Sequence, residues 1–411
     1  MKVLKNISEL VTMQGVVKKD GRNLVADDLS IVKNGAMVYD SEKIHWVGES
    51  NQLPEQYQSI AAQDCSQMTI TPALIDSHTH LVFAGNRADE YSRRLNGEDY
   101  QAIANAGGGI LSTMKATVEE EREKLLESAR KRINQIASYG VQTIEIKSGY
   151  ALSFEGEEKL TEIIHSLKKE FASKEIQILN TYMAAHAVPK HYQNSHEYMK
   201  QVVLPLLESC VKKYQIDAVD IFHEKGYFNS DDCQLLFDRA SELGIASKIH
   251  ADELNDNEGA SIAAFNQCLS ADHLLAISSK GIEDLAGSST VANLLPGTAF
   301  FLGKPLAPAA ELIQAGAKIA IASDFNPGSC HDDNVLKLAL MAAPSFKMNM
   351  AHLIAAITFN AASALGLKKQ GALIAGYQPR FSIFECESLS QICYQWNHNF
   401  FKSSSTSFNN S

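Results

Sequence analysis

No stretch of this chain approaches the run of about 18 apolar residues that a membrane-spanning helix needs. Nor is there a Cys-x-x-Cys pair, since the seven cysteines (65, 210, 233, 268, 330, 386 and 393) are scattered and odd in number. That usage points to reduced thiols rather than to a disulfide framework or a cysteine-bound metal. The opening MKVLKNISELVTMQG lacks the sustained apolar core of a secretory signal, so the expected location is the cytoplasm. Positive charge is scarce too: the net charge of −11 argues against general binding to nucleic acid or to anionic membranes. An anionic ligand therefore needs a local basic pocket. Finally, no glycine-rich phosphate fingerprint follows an apolar strand, which weakens a doubly wound nucleotide-binding sheet as the architecture.

What remains is a globular composition, 45% hydrophobic and 21% charged over 411 residues. That length suits one large core with a smaller companion domain. Residues 1–70 read as β-rich, with short apolar runs broken at Asn34-Gly35 and at Asp40-Ser41-Glu42 in a hairpin-like pattern. From residue 71 to 368 short apolar runs alternate with amphipathic helices. The clearest helix is expected over 118–138, with Thr117 and Glu120 as a capping box and Leu126, Ala129, Ile133 and Ile136 as its buried stripe. Residues 369–400 turn β-like again and are expected to complete a small β-sandwich with 1–70. The Ser/Asn-rich end, 401–411, reads as a disordered tail.

Eight apolar runs in the middle segment are candidate strands: 71–77, 142–147, 177–185, 217–222, 245–250, 269–273, 290–295 and 317–323. Helix-sized intervals separate most of them. Near-continuous apolar strands alternating with helices argue for a parallel sheet covered on both faces. Eight such units over about 250 residues match a (β/α)8 TIM-like barrel, with an open sheet as the structural alternative.

In such a barrel the C-terminal strand ends share one face and carry the chemistry. All but one of these runs close on polar residues: His78-Thr79-His80, Lys147-Ser148-Gly149-Tyr150, His186, His223-Glu224-Lys225, His250-Ala251-Asp252-Glu253, Asp272-His273 and Asp324-Phe325-Asn326. His78 and His80 stand two apart and so share one side of a strand end. A loop that happens to hold two histidines is the plainer reading of that pair alone. His250 and Asp324 complete a three-nitrogen, one-oxygen set that leaves room for water, as a catalytic metal site requires. A bound divalent ion lowers the pKa of water to about 7. Asp324 is expected both to hold the metal and to accept the water's proton.

IDSHTHLVFAGNR, AIANAGGGILST, IEIKSGYAL, AAHAVP, KIHADE, SADHLL, LLPGTAFFL and ASDFNPGSC together resemble the imidazolonepropionase family of the amidohydrolase superfamily, over roughly residues 25–370. The resemblance implies a barrel with a small β-sandwich, a homodimer, one zinc or iron ion per subunit, and a small anionic substrate. The implied activity is hydrolysis of the ring amide of 4-imidazolone-5-propanoate to N-formimidoyl-L-glutamate in histidine degradation. Its metal ligands fall on His78, His80, His250 and Asp324. Its substrate positions fall on Arg87, Tyr150, His186, Glu253, Asn326, Gly328 and Ser329, with His273 beside the metal.

Physical reasons attach to each. Arg87 offers a planar fork to a propionate. Asn326-Pro327-Gly328-Ser329 is a tight turn whose backbone N–H groups and Ser329 hydroxyl are expected to grip the same carboxylate. Tyr150 follows a turn that aims its phenol inward, and His186 is placed to hydrogen-bond the ring. Glu253 is placed to move protons between ring and solvent, and His273 to stabilise a developing oxyanion. Gly107-Gly108-Gly109, after a helix-like 99–106, suggests a hinge over the site. His223 departs from the family pattern and is read as packing. Lys147 and Lys225 raise a carbamylated, two-metal site, but their positions favour one metal. A deaminase of a small heterocycle is the alternative activity, though a neutral base leaves Arg87 without a carboxylate to hold. A barrel without metal that serves assembly is the non-enzymatic alternative.

Overall fold

The computed structural model describes residues 1–98, 108–174 and 176–405. Five strands come first: β1 (Lys2–Val11), β2 (Ile31–Tyr39), β3 (Ile44–Glu49), β4 (Ala62–Asp64) and β5 (Thr69–Pro72). Next come β6 (Leu74–Asp76), β7 (Val141–Lys147), β8 (Gln177–Ala185), β9 (Ala218–His223), β10 (Ala246–Ser247), β11 (Ile249–Ala251), β12 (Ser270–His273), β13 (Val291–Leu294) and β14 (Ile319–Ile321). β15 (Phe381–Phe384) and β16 (Phe401–Ser404) close the described chain.

Hydrogen bonding sorts these strands into two sheets. β6 to β14 form one parallel sheet in the order β6-β7-β8-β9-β11-β12-β13-β14, with β10 paired to β9 as the first half of a broken fifth strand. The eight positions are the eight expected from the sequence, and the sheet closes on itself at the β6–β14 seam. There Asp324 N–H donates to the His78 carbonyl at 3.0 Å, and His80 N–H to the Phe325 carbonyl at 3.0 Å. The Asp76 carboxylate accepts the Ser323 N–H at 3.0 Å across the same seam. Because helices cover the outside, strand residues such as Ile144, Ile146, Ile221, Leu294 and Ile321 are buried, which is why these strands lack simple polar–apolar alternation.

The other sheet has seven strands, ordered β16-β15-β5-β1-β2-β3 with β4 also on β1. It joins both ends of the chain around Leu4, Ile7, Leu10, Tyr39, Ile70 and Phe381. The apolar run at 71–77 serves both bodies: Thr71 and Pro72 pair with β15, and the chain enters the barrel at Leu74.

Several local expectations are corrected. Asn34-Gly35 is no turn, for β2 runs straight through it; Asn34 has φ +47°, opposite an irregularity between Leu4 and Ile7. The real turn is at Asp40, whose carboxylate accepts the Glu42 and Lys43 N–H groups at 2.8 and 2.9 Å. The helix expected over 118–138 is two, Ile110–Glu119 and Arg122–Ala137. Lys159 Nζ donates to the carbonyls of Thr117, Val118 and Glu120, ending the first helix with a distant ammonium. Thr117 is therefore no cap, and its hydroxyl accepts the Ala84 N–H at 3.1 Å. The stripe Leu126, Ala129, Ile133 and Ile136 is buried as expected.

At the C-terminal end Leu389–Tyr394 is a helix rather than β-like, and Phe401–Ser404 is a strand antiparallel to β15 rather than tail. The expected helix at 99–106, Gly107, and the tail beyond 405 lie outside the described residues. Among the described residues no helix is long and apolar enough to cross a membrane.

The small sheet depends on Phe381, fully buried with its ring edge-on to Tyr39 at 5.3 Å between centroids. Phe381→Ala is expected to cost about 3–5 kcal/mol, read as a lowered urea midpoint.

Candidate metal centre and substrate pocket

The seam that closes the barrel also builds its reactive end. His78 and His80 continue β6 past Asp76, and the backbone bonds to Asp324 and Phe325 set that extension against the end of β14. Asp324 itself sits at φ +52°, a left-handed conformation that aspartate tolerates better than most residues. It brings Oδ1 to 3.5 Å from His78 Nε2 and 3.7 Å from His80 Nε2. His250, on β11, completes the group, and the ligand nitrogens of the three histidines lie within 4.8 Å of one another. All four side chains are buried.

The ring orientations decide what this cluster can hold. His78 Nδ1 lies 2.6 Å from Asp272 Oδ2, and His250 Nδ1 lies 3.2 Å from Asp220. A carboxylate at Nδ1 keeps the proton there and leaves Nε2 as a bare lone pair. His80 has no such anchor at Nδ1; its ring stacks instead on His186 at 5.1 Å and 19°. Burial, together with the Lys147 charge for His78 and the neighbouring rings for His80, holds both well below the ordinary histidine range. They are neutral at pH 7.

Two facing nitrogens, His78 Nε2 and His80 Nε2 at 3.2 Å, and the buried, unpartnered His250 Nε2 call for a cation. An ion bound tetrahedrally at about 2.0–2.1 Å needs nitrogens roughly this far apart. Burial pushes Asp324 up to about 7, a penalty on its anion that a cation would offset. The donor set fits a single divalent ion.

Over this centre opens a cavity of about 690 Å³. Arg87, Tyr150, His186, Glu253, His273, Asn326, Gly328 and Ser329 all line it, together with His80, His250 and Asp324. Arg87 stands at the start of helix Ala88–Leu95 with Nε on Glu90 Oε2 at 2.8 Å, and Glu90 also accepts the Gly109 N–H at 3.1 Å. That contact orients the guanidinium and leaves its outer edge for a ligand. The head lies so close to the Gly328 backbone that a Cβ there would meet Arg87 Nη1 at 2.0 Å. Gly149, at φ +119°, likewise admits His186, whose Nδ1 bonds the Gly149 carbonyl at 3.0 Å and so leaves Nε2 as the other ring nitrogen. Burial lowers His186 to about 4.

Two expectations about this pocket change. The Gly328 and Ser329 N–H groups both donate to Asn326 Oδ1, at 2.7 and 2.8 Å, so they are consumed inside the turn. The Ser329 hydroxyl is drawn into the same turn, donating to Asn326 Oδ1 at 3.2 Å and accepting from Asn326 Nδ2 at 2.9 Å. The second oxygen of Asp324 is not free either, since the Thr298 hydroxyl donates to it. His223 lies buried near Ser230, outside the cavity lining. Lys147 is an ammonium 2.6 Å from Asp220 and 2.8 Å from Glu145, incompatible with a carbamate.

Glu253 lies 3.7 Å from His273, and burial with the nearby Asp324 and Glu224 charges pushes it up to about 8. Its loop is tied down by Glu224, which accepts the Leu254 and Asn255 N–H groups and the Asn257 side chain. Glu90, Thr298 and Asp220 are supporting residues that strand ends did not single out, while Glu224 and Asp272 closed their strands in the sequence without their supporting roles being legible. A signal existed for Asp220, a carboxylate inside the largely apolar strand AVDIFH, which a polar barrel interior accommodates.

A model of the amidohydrolase family matches residues 69–406. The imidazolonepropionase of Bdellovibrio bacteriovorus is 38% identical over 91% of this chain and 88% of its own. That of Paracoccus denitrificans is 38% identical over 89% and 91%. Among solved structures, a mutant atrazine chlorohydrolase of Arthrobacter aurescens, complexed with zinc and atraton, aligns with a TM-score of 0.70 at 13% identity, covering 98% of this chain and 93% of that one. A guanine deaminase of C. acetobutylicum aligns at 0.65 with 15% identity, covering 96% and 95%. These two likenesses speak to the fold alone. Fold, histidine cluster and relatives agree, and the chain belongs to the amidohydrolase family and, within it, to the imidazolonepropionases.

Proposed function

We propose that this hydrolase opens the ring amide of 4-imidazolone-5-propanoate to give N-formimidoyl-L-glutamate, using one zinc or iron ion held by His78, His80, His250 and Asp324. The observation that carries the reading is the pairing of Arg87 with the Asn326–Ser329 turn in the same cavity as the three imidazoles. A ring amide bearing a carboxylate side arm needs both ends: a guanidinium for the arm and a hydrolytic centre for the ring. When bound, the ion supplies Lewis acidity and brings the pKa of water to about 7; nitrogen and oxygen donors of this kind suit zinc and iron alike.

The chain's own residues do the rest. Arg87, with its Nε spent on Glu90 and its head against the Gly328 backbone, presents its remaining N–H edge to the propionate. His186 Nε2 and the Tyr150 phenol orient the ring. Asp324 takes the proton from the attacking water on its outer oxygen, through the lone pair that the Thr298 hydroxyl leaves unused. His273 lies near the carbonyl as charge develops there. Glu253, raised to about 8, carries a proton near neutral pH and delivers it to the leaving ring nitrogen. Deamination of a neutral heterocycle would use the same end of the barrel but would give the outer N–H edge of Arg87 no carboxylate to hold.

Metal-loaded protein is expected to bleach the imidazolone absorbance without releasing ammonia; ammonia from a heterocycle screen with no bleaching reverses the assignment. His250→Ala is expected to abolish both metal retention and turnover. Gly328→Ala, which displaces the Arg87 head, is expected to retain the metal but raise KM about tenfold or more, the scale of one charge-assisted hydrogen bond. An unchanged KM would remove Arg87 from substrate binding.

A further inference from the structure

Five charged side chains that no step above employs fill the barrel beneath the imidazoles. Glu145 and Lys147 come from β7, Asp220 from β9, Lys248 from the break between β10 and β11, and Asp272 from β12. None of the five reaches solvent. Lys147 Nζ lies 2.8 Å from Glu145 Oε2, 2.6 Å from Asp220 Oδ2 and 3.8 Å from Asp272 Oδ2. Lys248 Nζ lies 2.9 Å from Glu145 Oε1 and donates to the Ser77 carbonyl at 2.8 Å.

Such a cluster is a weak source of stability, because desolvating each ion costs about what the pairings return, and apolar side chains of like volume do as well or better. Its wiring suggests a different task. Asp272 is the carboxylate on His78 Nδ1, and Asp220 is the carboxylate on His250 Nδ1. These two arrive on different strands, and one ammonium spans the gap between them. Burial alone would lower Lys147, but the three carboxylates hold it well above the ordinary lysine value, so it stays charged. Lys248 also approaches Asp272, at 3.6 Å, but its shortest contacts are the Ser77 carbonyl and Glu145, and among the described residues only Lys147 forms ion pairs with both Asp220 and Asp272.

We propose that Lys147 is a positioning residue of the metal centre, tying Asp220 and Asp272 in place so that His250 and His78 aim their Nε2 atoms at one point. The inference rests on the metal-dependent reading above and deepens it. With two lysines against three carboxylates, the cluster also leaves one net negative charge directly under the cation.

Lys147→Met alone leaves Asp220 without its ammonium and the cluster with one more negative charge, so the informative variant combines it with Glu145→Gln, which keeps the net charge of the cluster. Zinc affinity is measured by chelator competition, and unfolding temperature in chelator reports stability separately. The double variant and Asp220→Asn are each expected to bind zinc about 10–100-fold more weakly than the unmodified chain, the range seen when support of a metal ligand is lost. Ile136→Ala, a cavity-forming change in the helix Arg122–Ala137, is expected to lose stability while its zinc affinity stays unchanged. Should the double variant fail to fold, Asp220→Asn decides. Wild-type zinc affinity in the folded variants overturns the proposal, as does equal weakening in Ile136→Ala. An unmodified chain that binds neither zinc nor iron overturns the functional reading as well, which separates the two failures.

Discussion

Two backbone hydrogen bonds, Asp324 N–H to the His78 carbonyl and His80 N–H to the Phe325 carbonyl, join the first barrel strand to the last. Without them the parallel sheet is an open ribbon, with its two edges unpaired. With them, residues 246 positions apart in the chain present one carboxylate and two imidazoles at a common point. Closure and site assembly are thus the same event. The left-handed backbone at Asp324 belongs to that arrangement: it turns the carboxylate inward as soon as the seam is made.

Below the seam, the barrel interior is filled with charge rather than with the branched apolar layers such barrels usually hold. The consequence is a graded arrangement. Buried ammonium groups hold carboxylates, the carboxylates sit on the Nδ1 atoms of His78 and His250, and the opposite ring nitrogens of both face the metal position. Above, the cavity changes character. Arg87 is the cationic group set beside the Asn326–Ser329 turn, on a chain whose net charge of −11 otherwise repels anions. A locally placed guanidinium is how an acidic protein binds an acidic ligand.

Much of this was legible in the residues. Eight apolar runs became the eight barrel positions, because parallel strands buried on both faces leave little choice of composition. What failed was local grammar with a distant competitor. Thr117 and Glu120 have the spacing of a cap, yet Lys159 arrives from another helix to end the segment there. Asn34-Gly35 has the sequence of a turn, but the ladder from β1 runs through it. Phe401–Ser404 lacks a core pattern because it is an edge strand whose order comes from β15. At the site, strand ends revealed His80, Tyr150, His186, His250, Glu253, His273, Asp324 and Asn326 of the cavity, while Arg87 came from the resemblance. They did not reveal that Asn326 spends its turn's N–H groups on itself, or that Glu90 and Thr298 hold Arg87 and Asp324, since those partners come from turn geometry and from helices rather than strand ends.

The single-ion centre is tested most directly by X-ray absorption at the metal edge of the loaded protein. The geometry predicts three imidazoles and one carboxylate oxygen around one ion, with no metal neighbour. Fewer than three imidazoles, or a second metal scatterer at about 3.5–4 Å, would contradict it.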